Sequence, residues 1–312
     1  MSSRSFSLPI SGPYDLREVA LMGFGHRDEA SFDGVMRMAF CLDDDLERHV
    51  GVAARQEGDR LELEVSPVGG EAPLTDAEVE RAAAQVARVV SVDHDGVAFH
   101  ALCEADPVLA PVHAVAHGFR PALFYSPYEA AVWSVISARR ARGQGIGLRE
   151  RLNRQFGVTF VLAGVETTAL PTPSQLLSVE SVPGLPADRI PRLHAIAEAA
   201  QRGELSAPKL AAMDPDEARA VVQRLPGIGP FYSALIVIRA CGHADVLSEE
   251  GRPLEGGCPP AVRARRAARF GGVRRPRRAV APVPHLGGGD GAGDRTAAGG
   301  CRMTEPLQPR RR

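Results

Sequence analysis

Leu225-Pro226-Gly227-Ile228-Gly229-Pro230-Phe231 separates a polar helical segment from the apolar run Tyr232-Ser233-Ala234-Leu235-Ile236-Val237-Ile238. Alternate glycines permit positive φ and a close approach of backbone to a ligand. Amides at the start of the following helix point outward and carry the positive end of its dipole. The chemistry open to this turn is to hold a phosphate, such as that of a DNA strand, on main-chain N–H groups without Lys or Arg. The plainer alternative is a helix C-cap followed by a turn and an N1 proline. The helices expected on both sides favour the phosphate reading.

Other reactive side chains offer less. The five cysteines are scattered with no close pair, which argues against a zinc site, a disulfide framework and an iron–sulfur cluster. The histidines show no ligand spacing, so no side-chain metal site is expected. Lys209 is the only lysine, which restricts any chemistry needing an amine nucleophile.

A chain of 312 residues is long enough for about two domains. No apolar run approaches a membrane span, and Met1-Ser2-Ser3-Arg4-Ser5 lacks the apolar core of a signal peptide. A cytoplasmic protein without membrane partners is expected. Net charge is −1, but from Gly251 onward fourteen Arg face four acids, which leaves the preceding part acidic.

The elements that position the turn follow from patterning. Met36–Leu42 and Arg60–Val65 alternate as strands do, between Gly and Asp turns. Thr75 caps a helix with Glu78 as its capping-box partner, and Val79, Ala83, Val86, Val89 and Val90 fall near helical spacing. Residues 1–115 therefore read as a small sheet with at least one helix packed on it. From 116 the pattern is helical. Ser126-Pro127 opens a largely apolar helix through Ile136, Pro171-Thr172-Pro173-Ser174 opens another, and Asp188–Gln201 and Asp214–Gln223 supply two more.

In this order of helices the chain resembles the helix-hairpin-helix DNA glycosylases, specifically the two-domain 3-methyladenine DNA glycosylase II family. The resemblance rests on Ser126-Pro127-Tyr128-Glu129-Ala130, on Leu170-Pro171-Thr172-Pro173 with Gly184-Leu185 and Arg189, and on Leu225 through Asp245-Val246-Leu247. Gly12-Pro13-Tyr14-Asp15 and Met38-Ala39-Phe40 resemble the family's extra sheet domain. Coverage runs from residue 5 to residue 250. The implied fold is α+β: a small N-terminal antiparallel sheet domain with helices over 1–115, then an all-α helix-hairpin-helix domain over 116–250.

After Leu247 the resemblance fails. The family continues with a helix carrying the catalytic aspartate, whereas 251–312 is Arg, Gly, Pro and Ala with little periodicity. A disordered tail is one explanation. A frameshift near Glu250 is the sharper one. The family's closing Pro-Tyr-Arg-Thr-Trp-Val-Ala-Val, written in GC-rich codons and read two bases later, becomes Val283-Pro284-His285-Leu286-Gly287-Gly288-Gly289. The helical domain is then truncated, and a genuine basic DNA-binding extension is the alternative.

The resemblance implies base flipping into a pocket on double-stranded DNA carrying damaged bases. Leu225, Pro226, Gly227, Ile228, Gly229 and Pro230 would form the DNA-binding hairpin. Its carbonyls often hold a monovalent cation in the family, and no other cofactor is required. Phe231, Tyr128 and Trp133, with Phe124 and Tyr125, are candidates for an aromatic pocket that attracts cationic alkylated purines by roughly 0.5 to 2 kcal/mol. For Tyr128 and Trp133 a place in the core is the competing reading. Glu250, with Glu249 in reserve, stands nearest the family's catalytic aspartate, and either would otherwise be a solvated surface acid. Phe231 occupies the place of the lysine in lyase-type relatives, which implies a monofunctional hydrolase. Arg139 stands where the family wedges a residue into the gap left by the flipped base, and a phosphate contact is its other reading. The expectation is a monomeric DNA-3-methyladenine glycosylase II-like enzyme. The alternatives are a catalytically impaired homologue that binds DNA without turnover, and an enzyme for oxidised or deaminated bases.

Overall fold

A computed structural model describes residues 3–22 and 32–246. Glu249, Glu250 and the Arg-rich tail, with the suspected frameshift, lie outside the described residues.

The chain begins with β1 (Arg4–Pro9) and α1 (Leu16–Met22). Strands β2 (Met36–Leu42), β3 (Asp45–Glu57) and β4 (Arg60–Pro67) follow, then helix α2 (Asp76–Val89). The four strands form an antiparallel sheet in the order β1-β4-β3-β2. Alternation in β4 sends Leu61, Leu63 and Val65 into the core. There they meet Val79, Ala83, Val86 and Val89 of α2. Thr75 caps α2 with the reciprocal Glu78 bond expected of a capping box.

Beyond the sheet come α3 (Gly96–Ala105) and α4 (Ala110–Val115). This segment leaves large apolar side chains in solvent: Val97, Phe99 and Leu102 of α3, Val115 of α4, and Leu109 between them. Next are α5 (Pro127–Ser137), α6 (Arg142–Phe156), β5 (Val158–Leu162) and β6 (Val165–Ala169). Then follow α7 (Pro173–Leu177), a 3-10 turn at Ala187–Arg189, α8 (Ile190–Gln201), α9 (Ala207–Ala212), α10 (Pro215–Val222) and α11 (Pro230–Arg239). Most of α5 is buried, and the hydroxyl of Ser134 is satisfied within the helix by the carbonyl of Ala130 at 2.7 Å. Around α5 a second core gathers Leu152, Leu176, Leu193, Ile196, Val222, Ile236 and Val237. Among the described residues no helix is long and apolar enough to cross a membrane.

Two features stand out after residue 116, the first a departure from the all-helical pattern expected there and the second a helix formed against local propensity. The first is the β5–β6 hairpin, whose Phe160 and Leu162 cover the second face of the sheet against Ala39 and Ala53. A side chain at Gly51 would clash there, since its Cβ would lie 2.6 Å from the Phe160 ring. Alternation through Val158-Thr159-Phe160-Val161-Leu162 and a two-residue turn with positive φ at Ala163 and Gly164 are its local cause. The second is α6. Gly143, Gly145 and Gly147 lower its helix propensity, yet Gly145 is where the Trp133 ring packs, 3.0 Å from where a Cβ would be.

Arg88 joins the two cores. Its guanidinium pairs with the Asp43 carboxylate at 2.6 Å, donates to the Tyr125 carbonyl at 2.6 Å, and also donates to the Ala240 carbonyl. The β2–β3 turn, the 122–125 segment and the end of α11 thus share one part-buried cation.

Candidate nucleic-acid interface

The 225–230 turn separates the work of side chains from that of backbone. Leu225 and Ile228 are buried in the helical core, while Pro226, Gly227, Gly229 and Pro230 are exposed. Two short bonds shape the turn: Leu225 N–H donates to the Val222 carbonyl at 3.2 Å, and Ile228 N–H to the Leu225 carbonyl at 3.1 Å. Gly227 has φ +92°, a region closed to most side chains. Gly229 is the N-cap of α11 in extended backbone, with no side-chain cap. The helix's first internal bond runs from Ser233 N–H to the Gly229 carbonyl at 2.9 Å. The amides of Phe231 and Tyr232 therefore precede the internal ladder and carry the positive end of the dipole.

Two residues that sequence reasoning passed over hold this geometry. Gln223, just after α10, donates to Ser233 Oγ at 2.8 Å, and fully buried Ser233 donates onward to the Pro230 carbonyl at 2.8 Å. This relay clamps α10 to α11 across the turn. The turn was expected to manage without a cation, but Arg192 lies beside it: its Cδ and Nη1 would stand 3.2 Å from a Cβ on Gly227. Arg192 is itself held by Asp188 at 3.2 Å.

The remaining aromatic candidates are not gathered into one hollow. Phe231 is 50 % exposed at the start of α11, edge-on to Tyr232 at 5.2 Å. Tyr128 has no exposed surface, and its hydroxyl donates to the Pro171 carbonyl at 2.9 Å, so it sits within the helical core. Trp133 is half-buried with the Arg149 guanidinium 5.6 Å from its ring centroid. Phe124 is buried, and Tyr125 packs on Phe40.

The start of α11 lies near the end of α5, where Tyr232 Oη and Ser137 Oγ are 3.4 Å apart. Two residues on, Arg139 is exposed with φ +60°, an uncommon conformation for a non-glycine residue. Arg140 donates to the Gly184 carbonyl at 3.3 Å and Arg151 to that of Pro183, which sets a row of guanidinium groups along the 183–184 loop. This is a surface suited to phosphate rather than to base edges.

In the first turn of α5, Glu129 is buried near Asp43 and Arg149, and its Oε1 atom lacks a hydrogen-bond partner. Burial raises its pKa to about 8, more than Arg149 can offset. Lys209 bonds the Gly203 carbonyl at 3.3 Å beside α9.

No family model matches the chain, and no curated protein matches it in sequence. Solved structures do match in fold. A 3-methyladenine DNA glycosylase from Archaeoglobus fulgidus aligns with TM-score 0.65 at 18 % identity over 85 % of this chain and 91 % of that one. MBOgg1 in complex with a low-affinity DNA ligand aligns with TM-score 0.58 at 17 % identity, over 87 % and 93 %. The 8-oxoguanine glycosylase/lyase of Clostridium acetobutylicum gives TM-score 0.51 at 13 % identity, over 77 % and 79 %. The chain shares its fold with these DNA glycosylases. Its sheet and helices together are the α+β architecture expected from the sequence.

Proposed function

We propose that this chain is a DNA glycosylase of base-excision repair. The observation that carries the reading is the 225–230 hairpin, which buries its two aliphatic side chains and turns peptide groups at the head of α11 outward. A duplex phosphate would accept from the Phe231 and Tyr232 amides, with Arg192 alongside and the Arg139–Arg140 turn as a second contact. Anchored there, the strand can release a nucleotide from the stack.

The substrate proposed is an alkylated base of the 3-methyladenine type, and likeness to an enzyme of that name supports the choice. The exposed Phe231 ring would stack on the cationic purine. Hydrolysis breaks the bond between C1′ and the base nitrogen, water oxygen adds to C1′, and the base leaves with a proton. A carboxylate would stabilise the cationic sugar, a role proposed for Glu250 or Glu249. Monofunctional hydrolysis fits Phe231 in place of a lysine and the sole lysine at Lys209.

The test is abasic-site formation on alkylated duplex. Base release supports the enzyme reading. Tight binding without release would make the chain a damage-binding protein, and release of 8-oxoguanine alone would move the substrate class.

A further inference from the structure

A second candidate site lies on α3 and α4. His100, His113 and His117 present ring nitrogens that all lie within 4.8 Å of one another. His100 Nδ1 and His113 Nε2 are 3.4 Å apart. Two ligands bound at about 2.0–2.1 Å to a tetrahedral zinc ion stand about 3.3 Å from each other, so this pair already has the separation of a shared ion. The three rings are tilted or edge-on, with centroids 4.7, 5.3 and 5.8 Å apart, so they splay as ligands do and do not stack.

Glu104 supplies an independent sign. Its Oε1 lies 3.1 Å from His100 Nε2, the ring nitrogen not facing His113. With its proton on Nε2 and donated to that carboxylate, His100 would turn the Nδ1 lone pair toward His113 Nε2. A carboxylate on the far nitrogen is the usual support of a metal-bound histidine: it fixes the tautomer and raises ligand basicity. Three imidazole donors with a carboxylate beside one of them also make a ligand set suited to a divalent cation.

We propose that His100, His113 and His117 bind one zinc ion, with Glu104 orienting His100 and a fourth position open to water. Imidazole donors in a tetrahedral array suit zinc. The ion would tie α3 to α4 and to the turn after it, a region whose Phe99, Leu102, Leu109 and Val115 side chains face solvent and contribute little to a core. Sequence spacing did not reveal the site, because His100 reaches the other two only through the packing of α3 on α4. The one-turn separation of His113 and His117 was the signal available.

The experiment is calorimetric titration of Zn²⁺ into the full chain after removal of metal by a chelator, with circular dichroism to confirm folding of each variant. One equivalent is expected to bind at micromolar concentration or below. His100→Ala, His113→Ala and His117→Ala should each weaken binding at least tenfold, and Glu104→Gln about tenfold with stoichiometry kept. Co²⁺ in place of zinc should give a visible tetrahedral spectrum that the His117→Ala variant loses. His117 is the most exposed of the three, so a folding defect will not obscure that result. Absence of saturable binding would overturn the proposal, as would binding that survives all three histidine substitutions.

Discussion

Gly229→Asp separates a phosphate grip from an ordinary helix start. At this N-cap the backbone has φ −89° and ψ −176°, a conformation open to any residue, and an added Cβ would meet nothing within 4 Å. An aspartate can therefore enter without strain and accept from the Phe231 or Tyr232 amide. Relative to glycine that cap is worth a few tenths of a kcal/mol, and its charge at the helix start adds about 0.3–1 kcal/mol. Unfolding free energy should rise by about 0.5–1 kcal/mol. The same carboxylate occupies the space of the phosphate and repels it. Losing a hydrogen bond to a charged group costs about 1.5–3 kcal/mol, so duplex affinity should fall roughly ten- to hundredfold, at about 1.4 kcal/mol per decade. Urea denaturation and fluorescence anisotropy with a duplex at fixed salt measure the two effects. A stabilised variant that binds DNA within twofold of the parent would refute the assignment of the hairpin.

Three further perturbations test other parts of the molecule. Gly227→Val puts a β-branched side chain at φ +92° and against Arg192, so it should cost stability of about 1–2 kcal/mol as well as DNA affinity; unchanged stability in urea would contradict that backbone requirement. Removing the Arg88 guanidinium with Arg88→Met leaves Asp43 buried without its partner and should destabilise by about 3–5 kcal/mol, and a loss below 1 kcal/mol in thermal or urea unfolding would show that Arg88 does not join the cores. Glu129 has its folded pKa raised from 4.5 to about 8, so its ionisation opposes folding: stability present below about pH 4.5 is lost as pH rises toward 8, by up to about 1.4 kcal/mol per pH unit. Glu129→Gln should flatten that decline, with Asp43, itself raised to about 6, common to both proteins; parallel urea stabilities of parent and variant from pH 5 to pH 8 would exclude the buried acid.

What the sequence disclosed was local. The capping box at Thr75 and Glu78, the Ser126-Pro127 helix start and the alternation of β4 each lie within a few residues, and backbone preference alone is enough to mark them. The 225–231 turn is legible for the same reason, since glycine and proline punctuate the chain strongly. Features built by packing stayed hidden. Glycine-rich α6 has no helix start marked in the sequence, and the Trp133 ring that packs at Gly145 is seen only in the fold. Arg88 looks like one more surface arginine on α2, yet it reaches carbonyls more than thirty residues away at Tyr125 and beyond. The bond from Gln223 to Ser233 bridges two helices and has no sequence signature. Tyr128 illustrates the converse: a tyrosine in a candidate pocket segment cannot be told from a core tyrosine until its hydroxyl is seen on Pro171.

Peptide groups at the head of α11 also change how damage to this surface would accumulate. Truncating Pro226 or Pro230 removes nothing that grips the phosphate, since an alanine at either position leaves every amide of the turn in place. Loss comes instead from atoms gained at Gly227 or Gly229. A surface of this kind tolerates drift at its two prolines, while Gly227 is closed by its own backbone and Gly229, open to a side chain in the free protein, must stay small to leave room for the phosphate.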